Sequence, residues 1–369
     1  MNDMSDAKLK LERNLKNFIA GEWVDTDERI EVTNPYTNEV VGSVPKMGLD
    51  QVKKAIDFMY DYEPTLTAYE RSEILKATAA EITQRKDELS YGISLESGMS
   101  LADSSKEVSR GVGLILTAAE EAKRIMGEQL PSDVDASGAD KIILATRHPV
   151  GLVSAIVPFN RPMNQVVVKV APSFAAGNKT IIKPTERTPM SAIRFVEILL
   201  NNGMPPGMIG VVSGKSSEIG DELVASQKID MVTFTGSTEV GRKLTNMAGI
   251  KKLTMELGGN DPLIVLGDAD VEKAAKLTVA GAYGNAGQAC RGVKRVLVVE
   301  SVADAYAAKL KELTEGIKYG DPFAPGIAVG TVIDDIPVSS HSRFPSRSYE
   351  RTLSVPVVTI SVRCSFFQM

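Results

Sequence analysis

From Gly151 onward the chain alternates short apolar runs with stretches of helical periodicity, and this alternation constrains its fold more than any other feature. The runs are GLVSAIVPF, TIIKP, MIGVV, MVTFTG, DPLIVL and KRVLVVE. Each has strand length and is bounded by Gly, Pro or polar turn residues. Strands joined by helical crossovers pair in parallel, so the pattern predicts an α/β fold built on parallel sheets. One crossover is legible in detail. Thr188 and Pro189 suit a helix start, Ala192, Phe195, Val196, Leu199 and Leu200 form one apolar stripe, and Gly203 and Pro205 end it.

The chain before this point is organised differently. Asn17 to Val24 and Thr33 to Asn38 read as short strands and a turn, and Leu49 to about Gly127 as three or so packed helices. Ser132 to Lys141 reads as a polar loop, followed by a strand from Ile142 to Arg147. After Asp335 the composition breaks: Ile336 to Met369 contains eight serines, four arginines and one glutamate, without Gly, Ala, Lys or Asp. A frame change or a separate origin would produce such a break. The tail segment LSVPVVTISV is β-prone and can cover a sheet edge or promote aggregation.

Bulk properties exclude several classes of function. With 369 residues, 43% hydrophobic and 24% charged, the chain has globular composition and enough length for two or three domains. A net charge of -5 with interleaved signs gives no footprint for nucleic acid. The longest nearly apolar run, Val150 to Phe159, is about half the length of a membrane-spanning helix. The polar N-terminus lacks a secretory signal, and two cysteines, Cys290 and Cys364, are too few for a disulfide framework. A cytoplasmic protein with no metal site is the expectation.

Three residues carry candidate chemistry. Cys290 ends Gly284-Asn-Ala-Gly-Gln-Ala-Cys290, where glycines can expose a thiol in a loop, although a lone Cys is more often a buried small residue. Glu256 ends a strand-like stretch before two glycines and can either activate water or stand as a solvated strand-end acid. Asn160, in Val157-Pro-Phe-Asn-Arg-Pro162, lies at the carboxyl end of a strand, where open α/β sheets bind ligands. Its amide can donate to an oxyanion, or it can be a turn residue.

Taken together, PFN, GNKTIIKPTE, FTGSTEVG, ELGGN and GQAC stand in that order between Pro158 and Cys290. In this order the motifs resemble the aldehyde dehydrogenase superfamily, and the similarity runs from about Asn17 to Asp335. The resemblance implies that the Cys290 thiolate attacks an aldehyde, with the oxyanion held by the Asn160 side chain and the Cys290 N–H. Hydride would pass to a nicotinamide, Glu256 would activate water against the thioester, and Lys169 would help relay a proton. Lys183 and Glu186 match the ribose-binding positions, and a carboxylate at Glu186 disfavours a 2′-phosphate, so NAD is expected ahead of NADP. Gly236, Ser237 and Gly241 match a pyrophosphate turn at a helix start, and Phe159 and Leu257 complete the cofactor residues. No G-x-G-x-x-G occurs.

The expected partner is a small-molecule aldehyde. Arg161, Arg291 and Arg110 suggest an anionic one, because a guanidinium offers a fork for phosphate, phosphonate or carboxylate. Arg161 or Arg291 can equally pair with a protein carboxylate. Val168 leaves space for a wider substrate. In texture the chain looks most like the branch acting on phosphonoacetaldehyde, lactaldehyde and glyceraldehyde 3-phosphate, although Ala289 replaces the arginine that phosphate-recognising members often carry before the cysteine.

The resemblance further implies residues 1–255 as an NAD(P)-binding domain with N-terminal helices and a projecting strand segment near 132–147. Residues 256–335 would form a partial catalytic domain, and 336–369 an atypical tail. A Glu-x-Phe-Gly-Pro motif expected in the family is missing, as is the strand by which homo-oligomeric relatives associate, which implies a truncated or frame-shifted chain. Two other functions stay open: a CoA-acylating dehydrogenase, which retention of Glu256 argues against, and an inactive remnant that binds nucleotide or a partner.

Overall fold

The structure, a computed structural model, describes residues 11–334 and 357–361. The N-terminal strands form two hairpins, β1 (Asn17–Ile19) with β2 (Glu22–Val24) and β3 (Arg29–Thr33) with β4 (Val40–Pro45). The helical region consists of four helices, α1 (Leu49–Asp61), α2 (Ala68–Gln84), α3 (Lys86–Ser97) and α4 (Leu101–Ala122). The start of α2 is fixed by a reciprocal cap. Thr67 Oγ1 accepts from Glu70 N at 3.2 Å, and Glu70 Oε2 accepts from Thr67 N at 2.7 Å. A small antiparallel hairpin, β5 (Glu128–Leu130) with β6 (Ile143–Ala145), then projects with its residues exposed.

The expected alternation follows as β7 (Leu152–Ile156), α5 (Asn164–Ala175), β8 (Lys179–Lys183), α6 (Met190–Asn201), β9 (Ile209–Val211), α7 (Ser216–Ile219), α8 (Glu222–Ala225), β10 (Met231–Thr235), α9 (Thr238–Ala248) and β11 (Lys252–Glu256). These strands and the first hairpin make one seven-stranded sheet, ordered β11-β10-β7-β8-β9-β1-β2. Its first five strands are parallel, and β1 joins β9 antiparallel. Both faces are covered, one by a core containing Leu75, Ile115, Val167, Phe174 and Phe195, the other by one containing Ile56, Met59, Leu152, Ile181 and Val232. Burial on both sides is why the central strands read as continuous apolar runs.

The remaining elements are β12 (Asp261–Val265), α10 (Val271–Tyr283), β13 (Val293–Val299), α11 (Glu300–Glu315) and β14 (Val357–Ser361). They form a three-stranded sheet, with β12 and β13 parallel and β14 antiparallel along the other edge of β13. Within the β-prone tail segment, Val357–Ser361 thus pairs along a sheet edge. Val265, Val296, Val298, Ala275 and Tyr306 form this sheet's core, while Ile264 stays 64% exposed. Among the described residues, no helix is long and apolar enough to cross a membrane.

Strand order locates the site. The chain fills β7, β8 and β9 toward one edge, then returns to place β10 and β11 on the other side of β7. The carboxyl ends of β7 and β10 therefore border a topological switch point, where a crevice opens.

Candidate active site

Asn160 lies in the turn between β7 and α5, beside this switch point. Its Nδ2 donates to the Gln288 carbonyl at 2.9 Å, and its own carbonyl accepts from Asn285 Nδ2 at 2.8 Å. The first bond fixes which end of the amide is the donor. One Nδ2 N–H is then spent and a second remains. Oδ1 is buried without a hydrogen-bond partner.

The loop carrying Cys290 is held from several directions. Residues Gly284–Gly287 form a short 3₁₀ turn in which Asn285 and Ala286 adopt left-handed φ values of 53° and 55°. An Ala in this region is strained, so the surroundings must impose it. Gln288 supplies much of that constraint, because its Nε2 donates to Asn285 O at 3.1 Å and its Oε1 accepts from Ile333 N at 2.9 Å. Asn285 N donates to Asp103 Oδ2 at 3.3 Å. The Cys290 thiol is free and half-buried. The glycine pair after Glu256 lets a second loop close on it, since a Cβ on Gly259 would stand 2.8 Å from the Cys290 carbonyl oxygen.

Thr235 links Lys169 by a hydrogen bond to the strand position beside Glu256. Lys169, on α5, is buried and donates to Thr235 Oγ1 at 2.6 Å. Thr235 pairs in register with Glu256, the exposed last residue of β11. Burial pushes the Lys169 ammonium down to about 8, while the Glu256 charge works in the opposite direction. A lysine so placed can exchange a proton near neutral pH. Thr235 was not singled out by its motif, and only the strand register reveals it.

Of the three arginines, Arg161 has found a protein carboxylate. Its Nη1 is 3.9 Å from Glu107 Oε2 and 3.4 Å from Met99 Sδ. Arg291 follows Cys290, is exposed, and forms no ion pair among the described residues. Arg110 is exposed on α4, one helical turn beyond Glu107. Val168 on α5 is 41% exposed. Glu107 carried no sequence signal beyond its place in an amphipathic helix.

The proposed dinucleotide residues lie at the carboxyl ends of β8 and β10 of the same seven-stranded sheet. Lys183 ends β8, is buried, donates to Pro184 O at 3.1 Å, and lies 4.0 Å from Glu186 Oε1. Burial lowers it to about 8, with Glu186 opposing. Glu186 Oε1 accepts from Ser216 N at 2.7 Å and Oγ at 3.2 Å, which fixes its carboxylate. Ser237 caps α9 through Val240 N at 3.2 Å, leaving the helix start exposed. Gly241 is buried where a Cβ would stand 2.5 Å from Leu257 Cδ2, so α9 packs directly on the residue after Glu256. Phe159 is half-buried in the Asn160 turn. An ammonium with unspent donors, a fixed carboxylate and an exposed helix start suit a ribose and a pyrophosphate.

Comparison with known proteins agrees with this fold. The profile described as Aldehyde dehydrogenase family matches residues 23–352. The mitochondrial succinate-semialdehyde dehydrogenase of Arabidopsis thaliana is 38% identical over 336 residues, covering 89% of this chain and 63% of the relative. The 3-sulfolactaldehyde dehydrogenase of Priestia aryabhattai is 38% identical over 317 residues, covering 86% and 66%. A crystal structure of succinate-semialdehyde dehydrogenase from Burkholderia pseudomallei superimposes with a TM-score of 0.85 at 36% identity, covering 92% of this chain and 70% of that one. The chain belongs to the aldehyde dehydrogenase family. It spans 63% and 66% of the length of the two curated relatives just named.

Proposed function

We propose that the protein oxidises an anionic aldehyde to its carboxylic acid with a nicotinamide dinucleotide, NAD ahead of NADP, using Cys290 as nucleophile. The observation that carries this reading is the Asn160 amide, tied to the Cys290 loop through Gln288 and left with one unspent N–H. Attack of the thiolate on an aldehyde carbon moves charge onto the carbonyl oxygen, and a fixed donor stabilises it there without reorganising. The Cys290 N–H is the second donor. The dinucleotide supplies a hydride acceptor when bound, held by Lys183, Glu186, Ser237 and the start of α9, with Gly236, Gly241, Phe159 and Leu257 shaping the contact. Glu256 then deprotonates the water that cleaves the thioester, and Lys169, hydrogen-bonded to the Thr235 that stands in register with Glu256, takes up or returns the proton.

The anionic part of the proposal rests on Arg161, Arg291 and Arg110 and on two relatives named for succinate semialdehyde and sulfolactaldehyde. These carry a carboxylate and a sulfonate, so the substrate class is broader than the phosphonate aldehydes suggested by sequence texture. Purified protein mixed with NAD and succinate semialdehyde, sulfolactaldehyde or phosphonoacetaldehyde should form NADH, read by absorbance. Absence of NADH together with no substrate protection of the Cys290 thiol against iodoacetamide would overturn the proposal.

A further inference from the structure

Glu107 is a fully buried carboxylate that none of the proposed chemistry uses. It projects from α4, and its side chain has 0% exposure. Oε1 accepts from the backbone N–H groups of Met163 and Asn164, each at 3.0 Å. These are free donors at the start of α5, so the carboxylate caps the helix that carries Lys169 and fixes the turn that carries Asn160 and Arg161. Oε2 has no hydrogen-bond partner. The Arg161 guanidinium, 3.9 Å away, faces it too far off for a bidentate fork.

A capping role needs only one oxygen and no net charge. A buried anion is costly unless it is compensated, and here Arg161 is the compensating group. The arginine is 29% exposed, so its guanidinium has Glu107 on its buried side and solvent on the other, directly after Asn160 in the turn. An anion entering the crevice therefore meets a guanidinium whose charge is already partly cancelled.

We propose that Glu107 is a specificity-determining residue, a built-in counter-ion that holds Arg161 and weakens its attraction for the anionic end of the substrate. It sets the balance between anionic and neutral aldehydes while leaving the chemistry at Cys290 untouched. This inference rests on the reading of the crevice as an anionic-aldehyde site. The charged groups facing Glu107 are Arg161 from the turn and Glu96 from α3. Burial, and more weakly Glu96, raises the Glu107 carboxyl, while Arg161 and the two capping N–H groups lower it; the outcome is about 7.

The test reads binding rather than turnover. Iodoacetamide labelling of Cys290 is timed with increasing n-propanesulfonate, an anion at every working pH, or n-propanol, its neutral counterpart. In Glu107→Gln, which keeps the capping oxygen, the half-protecting sulfonate concentration should fall about three- to tenfold, with that of propanol unchanged. Adding Arg161→Leu should erase the gain. An unchanged or higher sulfonate concentration in Glu107→Gln, or equal shifts for both probes, overturns the role of Glu107 alone. Failure of the sulfonate to protect the unsubstituted protein overturns the anionic-substrate reading and the Glu107 role with it.

Should Glu107→Gln not fold, Glu107 can be neutralised by pH in Lys169→Met, where the lysine no longer titrates. Sulfonate protection should strengthen between about pH 8 and about pH 6 as Glu107 takes a proton. No strengthening, or an equal one when Arg161→Leu is added, would overturn the proposal.

Discussion

The two halves of the crevice are built on different principles. On the nucleotide side, Asn160 and Lys169 flank the start of α5, a helix packed into the largest core and held at its start by Glu107. On the nucleophile side, Cys290 sits in a loop with two left-handed residues, tied down by hydrogen bonds from Gln288 and Asn285 and set on a sheet of three strands. One half is positioned by packing, the other by polar tethers. The proposed oxyanion donor and proton carrier belong to the packed half, and the proposed nucleophile belongs to the tethered one. Hydrogen bonds across the crevice, Asn160 to Gln288 O and Asn285 to Asn160 O, hold the two in register.

The largest expected effect isolates the tethered half. Cys290→Ala should lower kcat by about 10⁴-fold or more, while thermal unfolding stays within 2 °C or so of the parent, because the thiol is half-buried and makes no structural bond. Retained turnover would place the nucleophile elsewhere. Next comes the link between the halves: Asn160→Ala should cost about 10²–10³-fold in kcat, the usual loss for one oxyanion donor. If Asn160 acts in the chemistry rather than only holding the loop, Gln288→Ala, which keeps the carbonyl that Asn160 uses, should leave more activity than Asn160→Ala yet destabilise the protein more. The reverse order in either measurement would remove Asn160 from the chemistry.

The same division explains what sequence could reveal. Strands, the α6 crossover and the carboxyl-end position of Asn160 were legible, because apolar periodicity and Gly or Pro breaks are local signals. Cys290, Glu256 and Asn160 stand in ordered motifs, and Lys169 was picked out only by its distance from Asn160. What escaped was long-range pairing. Glu107 lies 54 positions before Arg161, and nothing in an amphipathic helix marks which acid turns inward. Thr235 became visible only through the register that sets it beside Glu256. Sequence left Arg161 open between a substrate anion and a protein carboxylate. The fold supplies the carboxylate, 3.9 Å away, so any substrate anion must share it.

Lys169 tests whether the packed half also tunes acidity. Its ordinary value of 10.5 falls to about 8 through burial, so the neutral form dominates above that pH. If Lys169 must accept a proton, kcat should rise through about pH 8, and Lys169→Met should lose that limb together with about tenfold of activity above it. Stability carries the opposite cost. The folded state binds the proton less readily than the unfolded chain, so the penalty is fully present below about 8 and is relieved between about 8 and 10.5 as pH rises. Lys169→Met should therefore raise the thermal midpoint more at neutral pH than at high pH. A uniform shift would show that burial is not the cause of the lowered value.

The smallest expected effect concerns Thr235. Its hydroxyl accepts from the Lys169 ammonium at 2.6 Å and so favours the charged form. Thr235→Val removes that acceptor with little change of shape, and a hydrogen bond to a charged group is worth about 1.5–3 kcal/mol before water or Glu256 takes its place. The kinetic limb should then move to lower pH, by about one unit or less once such replacement is counted. Because Thr235 stands in register with Glu256, the alternative is that the hydroxyl serves the acid rather than the lysine. In that case the limb would stay near pH 8 and only the plateau of kcat would fall. A pH profile of the single variant separates the two, and an unmoved limb would assign the acidity of Lys169 to burial alone.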